Sequence, residues 1–295
     1  MKRIGVFVLG VFLIVVGMAG LVLPILPGWV MIFLGLSLIA PEFAARLRRR
    51  IFGKFLKKEI FFIGEWKKSG VEAGFTTRHF PLVLRKTDEL LDEEKQRQFA
   101  SFLNHSHGKF VFLNQVHGDT VAVVQDKAQF SKEGFYCIPE SDAAITNIPG
   151  LSVLVFTADC LPIFFNAGEW VGLVHAGWRG THKKISQKTL RLISEKSGIP
   201  AKDIKIYFGP AICVKSYEVG EEFKNYFPES SFELKKGRLF FNLLKENQRQ
   251  LVESGAHMRN IINYGFCTFE EEESFYSFRR EKEAAGRMIS FISKS

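Results

Sequence analysis

His117, Cys160 and His175 share one local setting. Each ends or interrupts an apolar run, in "KFVFLNQVHGDTVAVV", "LSVLVFTADCLPIFF" and "VGLVHAGWRGT", and each has a small or turn-forming residue beside it: Gly118, Ala158 and Gly177. Strand ends hold side chains firmly while leaving them accessible, as a metal site requires. Two imidazoles and a thiolate suit catalytic zinc, with the fourth position open to water or substrate. Zinc lowers the pKa of a bound water to about 7. The separations along the chain are 43 and 15 residues, so no short HExxH or CxxC spacing ties the three together. Taken singly, each has a plainer reading: a small core cysteine, or a turn histidine with its hydrogen bonds satisfied.

The same residues allow other chemistry. Cys160 as nucleophile, His175 as base and an aspartate orienting it would make a metal-free cysteine hydrolase. Copper-dependent phenol oxidation needs histidine-rich centres, and the chain has seven histidines with only two well placed, so zinc is preferred to copper. A membrane-anchored binding module without turnover is a further alternative. Metal content separates the first reading from the second.

The elements that must position these residues alternate. "KTDELLDEEKQRQFASFL" (86–103) is expected as a helix capped by Thr87 or Asp88. "KFVFLNQVHGDTVAVV" is expected as strand, turn and strand, and "LSVLVFTADCLPIFF" as an apolar run split at Thr-Ala-Asp-Cys. "EWVGLVHAGWRG" is expected as a strand with a glycine turn, 181–197 as a basic amphipathic helix, and "IKIYFGPAICVKSYEVG" as strand then loop. "EEFKNYF" reads as a short helix, and "LFFNLLKENQRQLVESG" as extended, then helical to Gly255. Strands alternating with helices over about 225 residues predict one layered α/β domain.

The first residues differ in kind. No charge occurs from Ile4 to Ala40. One straight helix of that length would run roughly 55 Å against a hydrocarbon core of about 30 Å. Pro24, Pro27 and Gly28 break it, which predicts a membrane hairpin over 1–45 and a basic amphipathic linker over 46–69. Lys2 and Arg3 at one end, with Arg46, Arg48, Arg49 and Arg50 at the other, place both ends in the cytoplasm. The protein is then membrane-anchored with its remaining domain cytoplasmic. "RLRRRIFGKFLKK" is expected to meet anionic lipid. A cleaved signal peptide is the alternative.

Charge follows that division. Residues 1–68 hold 11 of the 40 Lys+Arg and 3 of the 31 Asp+Glu, leaving the remainder 29 basic against 28 acidic residues. The basic balance belongs to the N-terminal segment, so no nucleic-acid partner is expected. The four cysteines (137, 160, 213 and 267) are scattered. That speaks against a disulfide scaffold and for a reducing compartment.

"NQVHGDTV", "SDAAITNIPGLSVLVFTADCLPIFF", "VGLVHAGWRGT" and "FGPAICVKSYEVG" occur in this order. Over residues 70–295 the chain resembles the YfiH-type family, long labelled laccase-domain or multicopper polyphenol oxidase. The first residues resemble the small membrane family named for its PGPGW motif, here "LPILPGW". The first resemblance implies a layered domain with central mixed β-sheets flanked by helices. It also implies zinc-dependent phosphorolysis of purine nucleosides (adenosine, inosine, guanosine and methylthioadenosine), with adenosine deamination besides. The metal ligands it implies are His117, Cys160 and His175. Arg78 in "GFTTRHF", Arg179 in "GWRG" and Arg279 in "SFYSFRRE" are implied contacts for substrate or phosphate. Asp159 and Asp142 are candidate proton carriers with Cys160 and His175 at the catalytic centre; their alternative roles are turn cap or partner of a histidine. Trp178 is expected to stack on a base or to fill the core. The family often continues its TTR segment with a glycine-rich turn, whereas this chain reads "HFPLVL", which leaves one pocket wall and the preferred nucleoside open. The oligomeric state is not indicated.

Overall fold

A computed structural model describes residues 58–85, 92–102, 109–126, 129–130, 132 and 134–295. The expected membrane hairpin (1–45), most of the basic linker, and His105 and His107 lie outside the described residues. Among the described residues no helix is long and apolar enough to cross a membrane. The compact unit runs from Glu59 to Ser295, so the last residues of the expected linker belong to it.

The unit opens with β1 (Ile60–Phe62), a single 3-10 stretch, and β2 (Val71–Thr76), paired antiparallel. Helix α1 (Glu93–Phe102) follows. Its first turn is closed by Asp92, whose Oδ1 accepts the Lys95 N–H at 3.0 Å, later than the cap expected at Thr87 or Asp88. Seven strands come next: β3 (Lys109–Leu113), β4 (Val121–Val124), β5 (Gly134–Ile138), β6 (Ala143–Thr146), β7 (Leu151–Thr157), β8 (Leu161–Ala167) and β9 (Trp170–Ala176). Helices α2 (Trp178–His182) and α3 (Ile185–Ser197) replace the one helix expected over 181–197. Lys184 separates them in the left-handed region at φ 65°, which ends the first helix. The chain continues through β10 (Lys205–Phe208), β11 (Glu218–Val219), β12 (Phe232–Lys235), β13 (Arg238–Phe241), α4 (Leu243–Glu253), β14 (Ile261–Asn263), α5 (Phe278–Glu281) and β15 (Met288–Lys294). "EEFKNYF" forms a 3-10 stretch at Glu221–Asn225.

Two six-stranded mixed sheets result. The first has the order β1-β2-β15-β7-β3-β5, the second β14-β10-β8-β9-β6-β4, and β11-β13-β12 form a small third sheet. From β3 to β8 every connection passes from one large sheet to the other. Strand alternation puts Phe110, Phe112, Leu154, Phe156, Ile289 and Phe291 on one face of the first sheet, where they bury Phe99 of α1. Ile163, Phe165 and Val174 of the second sheet pack in one buried cluster with Ile185, Leu190 and Ile193 of α3 and Leu251 of α4. β7 and β15 pack against β9, giving layers in the order helix, sheet, sheet, helices. Truncating one of these buried phenylalanines to alanine would cost about 3–5 kcal/mol.

The topology explains why distant residues meet. β5, β3 and β7 are mutually parallel, so their C-terminal ends emerge at one end of the first sheet. The three crossings that leave those ends carry Asp142, His117 and Cys160 in turn. In the second sheet β8 and β9 are antiparallel with Pro162 opposite His175, which returns His175 to the Cys160 end.

Candidate functional site

Each chemical residue is held by a specific backbone device. His117 adopts φ 57° and Asp159 φ 97°, left-handed conformations uncommon outside glycine and clustered where a chain turns for function. Asp142 governs the first turn. Its Oδ1 accepts the His117 N–H at 3.0 Å, and its Oδ2 accepts those of Val116 at 3.2 Å and Gly118 at 2.6 Å. Oδ1 also lies 2.7 Å from His175 Nδ1. Gln115 ties the same turn to the end of β7 through both backbone groups of Phe156, at 2.9 and 2.8 Å.

His117, Cys160 and His175 come together. Their ligand atoms lie within 4.8 Å of one another, and the two imidazoles meet edge to face with centroids 4.8 Å apart. His175 is buried, Cys160 half-buried and His117 exposed. Burial pushes the Cys160 thiol up, but the charge of His175 and hydrogen bonds from both histidines outweigh it and bring it to about 6. Burial pushes His175 down, and the Cys160 thiolate and Asp142 overcome this, raising it to about 9. Asp142 is held below the usual carboxylate range because His175 and the turn N–H groups outweigh its burial.

Donors of this kind at about 2.1 Å (nitrogen) and 2.3 Å (sulfur) from one tetrahedral ion stand roughly 3.5 Å apart. The ligand atoms of the observed cluster, all within 4.8 Å of one another, stand near that spacing. The donor set, one thiolate and two imidazoles with Asp142 fixing one ring, fits a divalent metal. Gly177 makes the approach possible: a Cβ there would stand 3.0 Å from Cys160 Sγ and 3.4 Å from His117 Cδ2.

The cluster faces a cleft of about 920 Å³. Arg179 and Arg279 line it, as does Asp159. Both Asp159 oxygens are engaged: Oδ1 accepts the Thr268 hydroxyl at 2.6 Å and Oδ2 the Arg279 N–H at 2.6 Å. The Arg279 guanidinium lies over Tyr217, 5.1 Å from its centroid, and donates to Glu218 O at 2.9 Å. Trp178 reaches the cleft while packing on Phe223 and Tyr226. Arg179 lies over its ring at 4.5 Å.

Two expected residues stand elsewhere. Asp142 is fully buried behind the histidines and is not part of the cleft wall. Arg78 is also absent from the wall; it pairs with Glu281 at 3.3 Å and lies over Tyr276. Arg280 bonds the carbonyls of Thr268, Phe269 and Phe275. Conversely, Arg85, Lys282 and Arg287 line the cleft and were not singled out from the sequence. Arg85 and Arg287 lie in irregular stretches and Lys282 at the start of a short 3-10 turn, so only the fold brings them together.

The model of the family described as "Multi-copper polyphenol oxidoreductase laccase" matches residues 71–295. That of the PGPGW transmembrane-protein family matches residues 3–54. A curated relative from Bacillus subtilis, "Purine nucleoside phosphorylase YlmD", is 30% identical over 75% of this chain and 88% of its own length. "Purine nucleoside phosphorylase YfiH" of Shigella flexneri is 33% identical over 68% and 80%. Among solved structures, YfiH of Bacillus licheniformis superposes with a TM-score of 0.69 at 27% identity, covering 80% of this chain and 97% of that one. YlmD of Geobacillus stearothermophilus gives 0.65 at 29% identity, covering 76% and 92%. With its mixed α/β architecture, and with a family match over all of the compact unit but its first strand and the 3-10 stretch that follows, this chain belongs to the laccase-domain family whose curated YfiH- and YlmD-type members are named purine nucleoside phosphorylases.

Proposed function

We propose that this chain is a zinc-dependent purine nucleoside phosphorylase. Adenosine, inosine, guanosine or methylthioadenosine would react with phosphate to give the free base and the sugar 1-phosphate, and adenosine would also be deaminated. The observation that carries this reading is the meeting of His117, Cys160 and His175, from three distant segments, at a cleft rimmed by cationic side chains. The relatives' printed names supply the reaction class.

His117, Cys160 and His175 would hold the ion, which when bound supplies Lewis acidity. Asp142 is a positioning residue: its bond to Nδ1 assigns the proton to that nitrogen and leaves Nε2 of His175 as the donor. Phosphorolysis builds positive charge on the sugar as the glycosidic bond breaks, and a phosphate oxygen forms the new bond at C1′. Arg179 and Arg279 would bind and orient that phosphate. For deamination, Asp159 is the carboxylate in the cleft wall, and each of its oxygens keeps a lone pair beyond its observed bond. Residues 1–45 would tether the enzyme to the membrane as a hairpin, with this unit in the cytoplasm.

The test is metal analysis of protein purified without added metal, followed by incubation with adenosine or inosine and phosphate. About one zinc per chain, with phosphate-dependent release of base and ribose 1-phosphate, is expected. Cys160→Ala should lose both metal and turnover. A second reading draws on the Asp142–His175 bond and the lowered thiol: Cys160 as nucleophile of a hydrolase. Full activity in metal-free protein would favour it, and copper with phenol oxidation would overturn both.

A further inference from the structure

Behind the cleft, Cys213 and Cys267 meet across an isolated bridge between Ala211 and Cys267. The Cys213 N–H donates to Cys267 Sγ at 3.3 Å, and each thiol shifts the titration of the other. Cys213 is half-buried and Cys267 buried; neither lines the cleft. Both are one residue from a group that holds Asp159. The Ile212 N–H donates to Asp159 O at 2.9 Å, and the Thr268 hydroxyl donates to Asp159 Oδ1 at 2.6 Å.

We propose that Cys213 and Cys267 are an oxidisable dithiol, a modification site that closes to a disulfide on reaction with a hydroperoxide and shifts the segments holding Asp159 beside Cys160. The Cys267 sulfur already touches the Cys213 backbone beside the Ala211–Cys267 bridge, so the loop between them needs no refolding to bring the two residues together. The roles of the two are distinct. The Cys267 hydrogen bond brings the Cys213 thiol down to about 7 against the opposing effect of burial. Cys267 itself is pushed up, by that hydrogen bond and by burial. Cys213 is also the more exposed of the two and the one a peroxide can reach, so it is the thiolate that attacks and Cys267 the thiol that resolves. Cys213 sulfur takes one peroxide oxygen, becoming a sulfenic acid and releasing water or an alcohol. Cys267 sulfur then displaces that oxygen as water, forming the S–S bond. Two electrons pass from the sulfurs to the peroxide. The bond draws the sulfurs to about 2.05 Å, closer than any hydrogen-bonded thiol contact, and the displacement falls on Ile212 and Thr268.

The experiment uses the full chain as purified, reduced and then exposed to a modest excess of hydrogen peroxide. Digestion with trypsin without reduction should yield peptides 206–215 and 260–279 joined, separable by dithiothreitol, whereas Cys160 lies on a different peptide. Cys213→Ser should give no joined peptide. The rate at which iodoacetamide alkylates Cys160 should change severalfold on oxidation of the native chain and stay constant in Cys213→Ser. These readouts are covalent and do not depend on which reaction the cleft catalyses. Recovery of the two peptides unlinked overturns the proposal. So does loss of the Cys160 thiol before the link appears, a link that leaves Cys160 reactivity unchanged, or the same change in Cys213→Ser.

Discussion

Asp142 Oδ1 lies 2.7 Å from His175 Nδ1 while accepting the backbone N–H of His117. One buried carboxylate thus fixes a ring on β9 and the backbone turn that presents a second ring. Replacing Asp142 with Asn keeps one acceptor and removes the charge. Metal affinity should fall about ten- to a hundredfold, the usual cost of losing a partner behind a ligating histidine. Replacing it with Ala leaves His175 and three N–H groups without their acceptor and should destabilise the fold by about 3–5 kcal/mol. Competition with a calibrated chelator and denaturant unfolding measure the two effects. An Asn variant with unaltered metal affinity would remove Asp142 from the positioning role.

Cys160 and His175 titrate against each other in the metal-free chain. The Cys160 thiolate contributes stability fully above the ordinary thiol value, and this is lost as pH falls through about 6. Protonated His175 contributes fully below its ordinary value near 6.5, and this is lost as pH rises through about 9. The ion pair therefore populates the window between about 6 and 9. In chelator-treated protein, alkylation of Cys160 should reach half its maximal rate near pH 6. In His175→Ala the midpoint should rise toward the ordinary thiol range. A midpoint near 8.5 in the unsubstituted chain would contradict the arrangement.

The strands and helices around the donor trio were legible in the residue pattern, because "KFVFL", "LSVLVFT" and "WVGLVHA" are apolar runs bounded by turn-formers, whereas β1, β2, β5, β6 and β15 were not read as strands. What the pattern does not carry is the sheet to which each strand belongs. β3 and β4 flank His117, and β7 and β8 flank Cys160, yet neither pair is a hairpin; each connection crosses between sheets. Pairing partners lie far along the chain, and periodicity reports only which face is buried. The donor trio was readable from its local settings and from the family resemblance. The place of Arg78 was not: its motif carried it into the substrate set, while Glu281, some 200 residues away, holds it elsewhere.

The arginines separate on that basis. Arg179→Ala and Arg279→Ala should each lower kcat/KM for phosphate about ten- to a hundredfold, the loss of one charge-assisted hydrogen bond of roughly 1.5–3 kcal/mol. The effect should appear mainly in the phosphate KM. Arg78→Ala should leave the phosphate KM unchanged and lower Tm, because it removes the Glu281 and Tyr276 contacts. Steady-state kinetics at varied phosphate, beside thermal unfolding, distinguish the two behaviours. A large phosphate effect for Arg78 would return it to the cleft.

Gly177 and Gly180 flank the same tight turn, and alanine should act differently at each. At Gly177 the backbone is extended, φ −75°, so a side chain meets no conformational strain. Its Cβ would instead press on Cys160 Sγ at 3.0 Å and His117 Cδ2 at 3.4 Å, moving donors rather than the fold. At Gly180 the Cβ would stand 2.8 Å from the Gly118 carbonyl oxygen, and a backbone atom held by the Asp142 turn has little room to yield. Gly177→Ala should therefore lose about tenfold in metal affinity with a small change in Tm. Gly180→Ala should lose stability by about 1–3 kcal/mol, the range for overpacking, and lose metal only as a consequence. Metal titration and thermal unfolding on both variants check this. Equal loss of metal affinity in two equally stable variants would mean that the turn acts as one unit and that Gly177 has no special relation to Cys160.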